Sequence, residues 1–212
     1  MEPSVLSKRL DSVLDSICRH TGMGAVYYPL QAGEMPRLGR GICRVCASCI
    51  QHVATGGFCR GNACTSAVQG HNIGDVWYFR CWLGLDSLAL AICPETEVVG
   101  AVEMGGYFSP GGTEEGSQAI LSRLSTLRPS GFGNLPIAAI QSIEEKNFKQ
   151  VHAFADFLKQ ATFSAGLNNA SHFEIRRRIY LQQMRLATKA EELKRADGHP
   201  ERNLFTSLDR KS

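Results

Sequence analysis

Three apolar runs follow one another in the middle of the chain with very little between them: Asp75–Cys81 (DVWYFRC), Leu88–Cys93 (LALAIC) and Val98–Met104 (VVGAVEM). Their length and composition are those of strands, and Pro94-Glu-Thr-Glu97 between the last two has the character of a hairpin connection. Parallel strands would need a long crossover between them, so links this short predict an antiparallel sheet. Any fold for the chain has to be built around that meander.

The flanking segments read mostly as helices. Val5, Leu6, Leu10, Val13, Leu14 and Ile17 recur at spacings of three and four, which predicts a helix over 4–20 with Ser4 as N-cap, ended by Thr21-Gly22. Residues 25–28 (AVYY) have strand composition, and residues 31–42 are Gly- and Pro-rich and read as a loop. A helix over 43–54 interrupted by Gly56-Gly57, and a second over 60–70, are expected next. Ile120, Leu121, Leu124 and Leu127 mark a helix stopped by Pro129, and residues 137–163 read as a helical pair or one long helix whose Phe stripe is core. The turn around Tyr107-Phe-Ser-Pro110, bracketed by Gly pairs, reads as turn geometry rather than a phosphate loop. Together these elements give an α+β fold, one sheet with flanking helices.

Residues 170–196 contain neither Pro nor Gly, and their apolar seam of Ile175, Ile179, Leu186 and Leu193 is thin. Such a helix either pairs with its copy in a homodimer or lies loosely on its own domain. Ten Lys and Arg against six Asp and Glu from His172 onward make this end basic, while the body is near neutral. With no second helix placed to form a helix-turn-helix, direct DNA binding is not expected of this chain. The polar stretch 197–212 reads as a link to a further, output domain. No apolar run reaches the roughly 18 residues that cross a bilayer, and the N-terminus lacks a signal-peptide core, so a cytoplasmic location is expected, with no membrane partner.

The second conspicuous feature is chemical. Six of the eight cysteines (Cys43, Cys46, Cys49, Cys59, Cys64 and Cys81) fall between residues 43 and 81. In a compartment that keeps thiols reduced, such crowding points to a metal, a cluster or redox chemistry rather than disulfides. The C-x2-C-x2-C spacing is compatible with an iron–sulfur cluster, and His52 or His71 could complete a mixed zinc site. Buried packing cysteines and redox-active thiols are the alternatives. The six histidines are scattered with no partner at a motif spacing, so no enzyme triad is expected. Glu103, late in an apolar strand, is either a ligand-contacting carboxylate or an outward-facing strand residue.

Cys43 after its glycine-rich lead-in, Cys59, Gly74, Tyr78-Phe-Arg-Cys81-Trp-Leu-Gly84-Leu85 and Val99-Gly100-Ala-Val-Glu-Met-Gly105-Gly106 resemble the PocR sensory domain over residues 5–165. The resemblance implies a PAS-like fold for residues 1–165, sensing small hydrocarbon derivatives such as diols, alcohols or aldehydes, in a regulator of the AraC type or a histidine kinase. It implies that the 170–196 helix is a signalling or dimerisation helix and that DNA is reached only through an output domain. Trp82 stands where the family often has His, which implies a more apolar pocket. On this basis Trp82, Leu85 and Tyr107 are expected as apolar pocket walls with Glu103 as polar anchor. Cys43, Cys59 and Cys81, with Cys46, Cys49 or Cys64 as fourth ligand, are expected to hold zinc or an iron–sulfur cluster. A metal centre that is itself the sensed input, or a thiol-dependent enzyme, remain alternatives.

Overall fold

The computed structural model describes residues 3–31, 33–126 and 137–197. Twelve elements follow in order: α1 (Pro3–Thr21), β1 (Ala25–Pro29), β2 (Arg37–Leu38), α2 (Arg44–Gln51), α3 (Val53–Ile73), β3 (Trp77–Arg80), β4 (Asp86–Ile92), β5 (Gly100–Tyr107), α4 (Thr113–Ser125), α5 (Ile137–Gln141), α6 (Phe148–Ser164) and α7 (Ala170–Asp197). The strands form one antiparallel sheet in the order β2-β1-β5-β4-β3. The fold is therefore α+β, a five-stranded antiparallel sheet with flanking helices. Among the described residues, no helix is long and apolar enough to cross a membrane.

Strand alternation sends large and small residues to opposite faces. Leu88, Leu90 and Ile92 of β4 join Val102 and Met104 of β5 on one face, where Leu10, Val13, Leu14 and Ile17 of α1 and Val151, Ala155 and Leu158 of α6 cover them. The other face carries Ala89, Ala91 and Ala101, onto which α3 sets Ala67, while Ala63 packs against Val26 and Tyr28 of β1. Small residues on both sides let α3 approach the sheet closely. A third cluster (Leu83, Leu85, Phe108, Ile120, Leu124, Ile140, Ile143) lies under α4 and α5 and includes Val45 and Cys49 of α2.

Several expectations are corrected. Helix α1 already includes Pro3 and Ser4, so Ser4 lies in its first turn instead of capping it; proline suits that turn because its missing N–H needs no partner there. The 31–42 loop contains the short strand β2, which pairs with Val26 and Tyr27. The helix break in the cysteine segment falls at His52, in extended conformation (φ −84°, ψ 132°), and not at Gly56-Gly57. Helix α3 runs straight through Gly56, Gly57, Gly61 and Gly70. Gly56 serves close packing: an added Cβ would meet the Ile50 carbonyl at 2.5 Å. Residues 137–163 are a pair, α6 being started by a capping box between Asn147 and Gln150. The Phe stripe is only partly core, since Phe148 is exposed while Phe154, Phe157 and Phe163 pack against the main cluster. Leu127, Pro129 and the 198–212 tail lie outside the described residues.

Helix α7 begins inside the core. Phe173 is buried and meets the His71 ring of α3 edge-on at 6.1 Å. Gly74, in left-handed conformation (φ +69°), lets the end of α3 come so close that an added Cβ would sit 2.6 Å from the Arg177 amide. Further along, Ile175, Ile179, Leu186 and Leu193 are exposed.

Candidate functional site

Between the sheet and the α2–α3 pair lies a narrow cavity of about 30 Å³, room for about two waters. Small residues create it. Ser87 and Gly105 face each other across the β4–β5 ladder beside a bulge at Asp86/Ser87, and any Cβ on Gly105 would run into the Ser87 side chain. Gly106 is held at φ +82°, and Gly24 lies against the Ile42 backbone. Val26, Ile42, Ile50, Trp82 and Leu83 supply the apolar wall.

Its polar groups are Tyr28 of β1, Ser87 of β4 and Glu103 of β5. Tyr28 is fully buried; its hydroxyl makes no bond of ordinary hydrogen-bond geometry, but it lies close enough to Glu103 for each to shift the other's ionisation. Burial raises the Glu103 carboxyl to about 7, against the pull of the neighbouring Ser87 and Tyr28 hydroxyls. Burial likewise drives the Tyr28 phenol far above its ordinary value, and Glu103 beside it adds to the effect.

Four thiols complete the wall: Cys46 and Cys49 of α2, Cys59 of α3 and Cys81 after β3. Trp82 Nε1 donates to Cys59 Sγ at 3.2 Å, and burial lifts Cys59 to about 12 despite that bond. Burial also raises Cys49 and Cys81. None of the lining residues is Lys, Arg or His. Every acid in the wall is therefore held towards its neutral form, and the cavity suits a neutral or cationic guest and opposes an anion.

Cys43 stands apart, in an outer groove of about 270 Å³ that also takes in Arg44 and Lys146. It is the N-cap of α2, where its Sγ accepts from the Cys46 amide at 3.3 Å. A hydrogen bond from the Cys46 thiol, helped by the Cys46 and Val45 amides, brings Cys43 down to about 7 in spite of burial. The same bond, and then burial, raises Cys46 well above the ordinary thiol value.

Of the residues singled out from sequence, the cavity brings together Trp82, Glu103, Cys46, Cys49, Cys59 and Cys81. Leu85 lies in the cluster beneath α4, and Tyr107 packs in the main core and borders the outer groove. Cys64 packs beside Ala63 and Ala67, close enough to Arg60 for that cation to oppose the rise that burial causes. His71 sits at the far end of α3 against Phe173. Among the described residues, no three His, Cys, Asp or Glu side chains stand together as a metal-holding group. Sequence reasoning missed Tyr28 and Ser87. Tyr28 shares the period-2 face of Val26 without any local mark of its role, and Ser87 follows Asp86 at the polar start of β4. No protein-family model, no curated protein and no solved structure matches the chain.

Proposed function

We propose that this chain is a PocR-like sensory domain whose inner cavity takes a small, uncharged, hydroxyl-bearing molecule such as a short alcohol or diol, and that occupancy is passed through α7, paired with its copy in a homodimer, to a transcriptional output. The observation that carries the proposal is the convergence of the Tyr28, Ser87 and Glu103 side chains in a wall otherwise made of apolar groups and neutral thiols. A ligand hydroxyl would accept from Tyr28 and donate to Glu103, satisfying both groups at once. Support for a PAS-like arrangement comes from the antiparallel β2-β1-β5-β4-β3 sheet, with two helices inserted between β2 and β3 to roof one face. The cavity limits size: a guest of more than a few heavy atoms must move Trp82 or Ile42, so the bound and free forms differ in that wall.

Melting in the presence of ethanol, ethane-1,2-diol, propane-1,2-diol and acetate tests this. One or more of the neutral hydroxyl compounds should raise Tm saturably, by roughly 5–10 °C at a hundredfold excess over Kd, and acetate should not. Tyr28→Phe should abolish the shift while circular dichroism shows the fold retained. The absence of a saturable shift with all three hydroxyl compounds, or a shift that survives Tyr28→Phe, would overturn the proposal. A rise with zinc in place of the diols would move the site to metal binding.

A further inference from the structure

The inner cavity and the outer groove share a wall. Gly24, Ile42, Gly105 and Gly106 line both, while Cys46 faces only the inner space and Cys43 only the outer one. The two sulfurs meet at that partition. A Cβ added to Gly106 would lie 2.8 Å from Cys46 Sγ and 3.6 Å from Cys43 Sγ, so the left-handed glycine leaves room for the pair. Cys43 is the N-cap, with extended backbone (φ −58°, ψ 145°) that turns its side chain back over the first turn of α2, towards the third helical residue. That residue is Cys46.

We infer that Cys43 and Cys46 form a redox-active dithiol that exchanges with low-molecular-weight disulfides entering the outer groove, Cys43 attacking and Cys46 resolving. Three observations support the assignment. First, Cys is outside the group of Ser, Thr, Asp and Asn that caps helices well, so capping alone does not account for it. Second, a Cys-x-x-Cys pair opening a helix, with one sulfur reachable and its partner turned inward, has the division of labour that exchange requires. Third, Cys46 and Cys49 both lie within α2, where residues three apart hold their Cβ atoms about 5–6 Å apart, beyond the span a disulfide bridges without distortion. The N-cap conformation frees Cys43 from that limit.

The chemistry balances. The Cys43 thiolate attacks one sulfur of the incoming disulfide, the S–S bond breaks, and one thiol leaves with a proton from solvent. Cys46 then loses its proton to solvent and attacks Cys43 Sγ, releasing the second thiol and closing the Cys43–Cys46 bond. The dithiol is oxidised by two electrons, and the disulfide is reduced to two thiols. Closing the bridge draws the Cys46 sulfur out of the cavity wall and so links oxidation to ligand affinity. That consequence rests on the sensory reading; the exchange itself does not.

The test is to treat the reduced full chain with glutathione disulfide, alkylate, digest with trypsin and analyse by mass spectrometry. Trypsin cuts after Arg44, so the expected bridge joins peptide 41–44 to peptide 45–60. Cys46→Ser should stop at the mixed disulfide, with glutathione on Cys43. Cys43→Ser keeps a good cap and should react at least about tenfold more slowly. Circular dichroism on both variants verifies that α2 is retained. Glutathione on another cysteine in Cys46→Ser, or oxidation of Cys43→Ser at the parent rate, would overturn the inference whether or not the cavity binds a diol.

Discussion

Replacing Glu103 by Gln turns the electrostatics of the cavity into a measurable pH dependence. Gln has the shape of the neutral acid, so the packing around Tyr28 and Ser87 is kept and only ionisation is removed. Glu103 titrates near 7 in the folded chain and near 4.5 as the ordinary value. Because the folded value is the higher one, the folded state retains its proton while the unfolded state loses it as pH rises from 4.5 to 7. Stability is therefore greatest at acid pH and falls across that window. At 1.36 kcal/mol per unit the full loss is about 3 kcal/mol, complete a little above pH 7. The variant lacks it. For a chain of this size about 3 kcal/mol corresponds to roughly 6–12 °C in Tm. Scanning fluorimetry from pH 4.5 to 8 should give near-equal melting at the acid end and a gap that opens in favour of Glu103→Gln until pH 7 to 8. Cys43 acts with the opposite sign in a higher window, its folded value of about 7 lying below the ordinary 9, so its contribution grows between about pH 7 and 9, above the range in which the Glu103 gap opens. A Tm gap constant with pH would refute the buried, neutral Glu103 and with it the electrostatic case for an uncharged guest.

Two further outcomes follow from other parts of the molecule. Asn168, buried ahead of α7, accepts from the Cys93 amide at 2.7 Å and donates to the Ala91 carbonyl at 2.9 Å, tying the end of β4 to the α6–α7 link; Asn168→Ala should destabilise by about 2–3 kcal/mol, read as a drop in urea midpoint at unchanged m-value. If α7 pairs with its copy, light scattering should give a dimer for the parent and a monomer for Ile179→Glu combined with Leu186→Glu, with little change in far-ultraviolet circular dichroism; a parent that stays monomeric at high micromolar concentration would remove the pairing.

Sheet type was legible because the connections around β4 are too short for anything but antiparallel pairing, and periodicity identified α1, α4 and α7. The glycines misled, since in this chain they measure closeness as often as they mark breaks. A Cβ at Gly56 would meet the Ile50 carbonyl, and one at Gly70 the Asp75 carbonyl, each at 2.5 Å, so both positions require glycine within a continuing helix. Neither contact has a local sequence signature. Strand β2 was invisible for the same reason, its two residues being strand only through β1. At the site, Trp82 and Glu103 could be picked out as an aromatic and an acid near apolar strands. Tyr28 could not, because its importance lies in meeting Ser87 and Glu103 from two other strands, which only the assembled sheet brings together.

Packing also explains why α3 is suited to link the cavity to α7. It carries Cys59 in the cavity wall, and the Gly74 turn that follows it presses on the backbone of α7; the fourteen residues between span roughly 21 Å as helix. On the opposite face of the sheet, Leu and Ile side chains interlock with α1 and α6 and fix those helices in place. Beneath α3 lie Ala89, Ala91 and Ala101, facing Ala67. Alanine surfaces have no long side chains to interdigitate, so a helix resting on them shifts along its axis with fewer broken contacts than one held by leucines. A guest that pushes on the Cys59–Trp82 side of the cavity thus acts on the less interlocked of the two helical layers, and any displacement of α3 reaches α7 where Gly74 allows no slack. Filling the interface should separate the two effects: Ala67→Leu would lock or unseat α3, so that cavity occupancy no longer changes the hydrogen-exchange protection of α7, whereas an unchanged response would show that the signal leaves by another route.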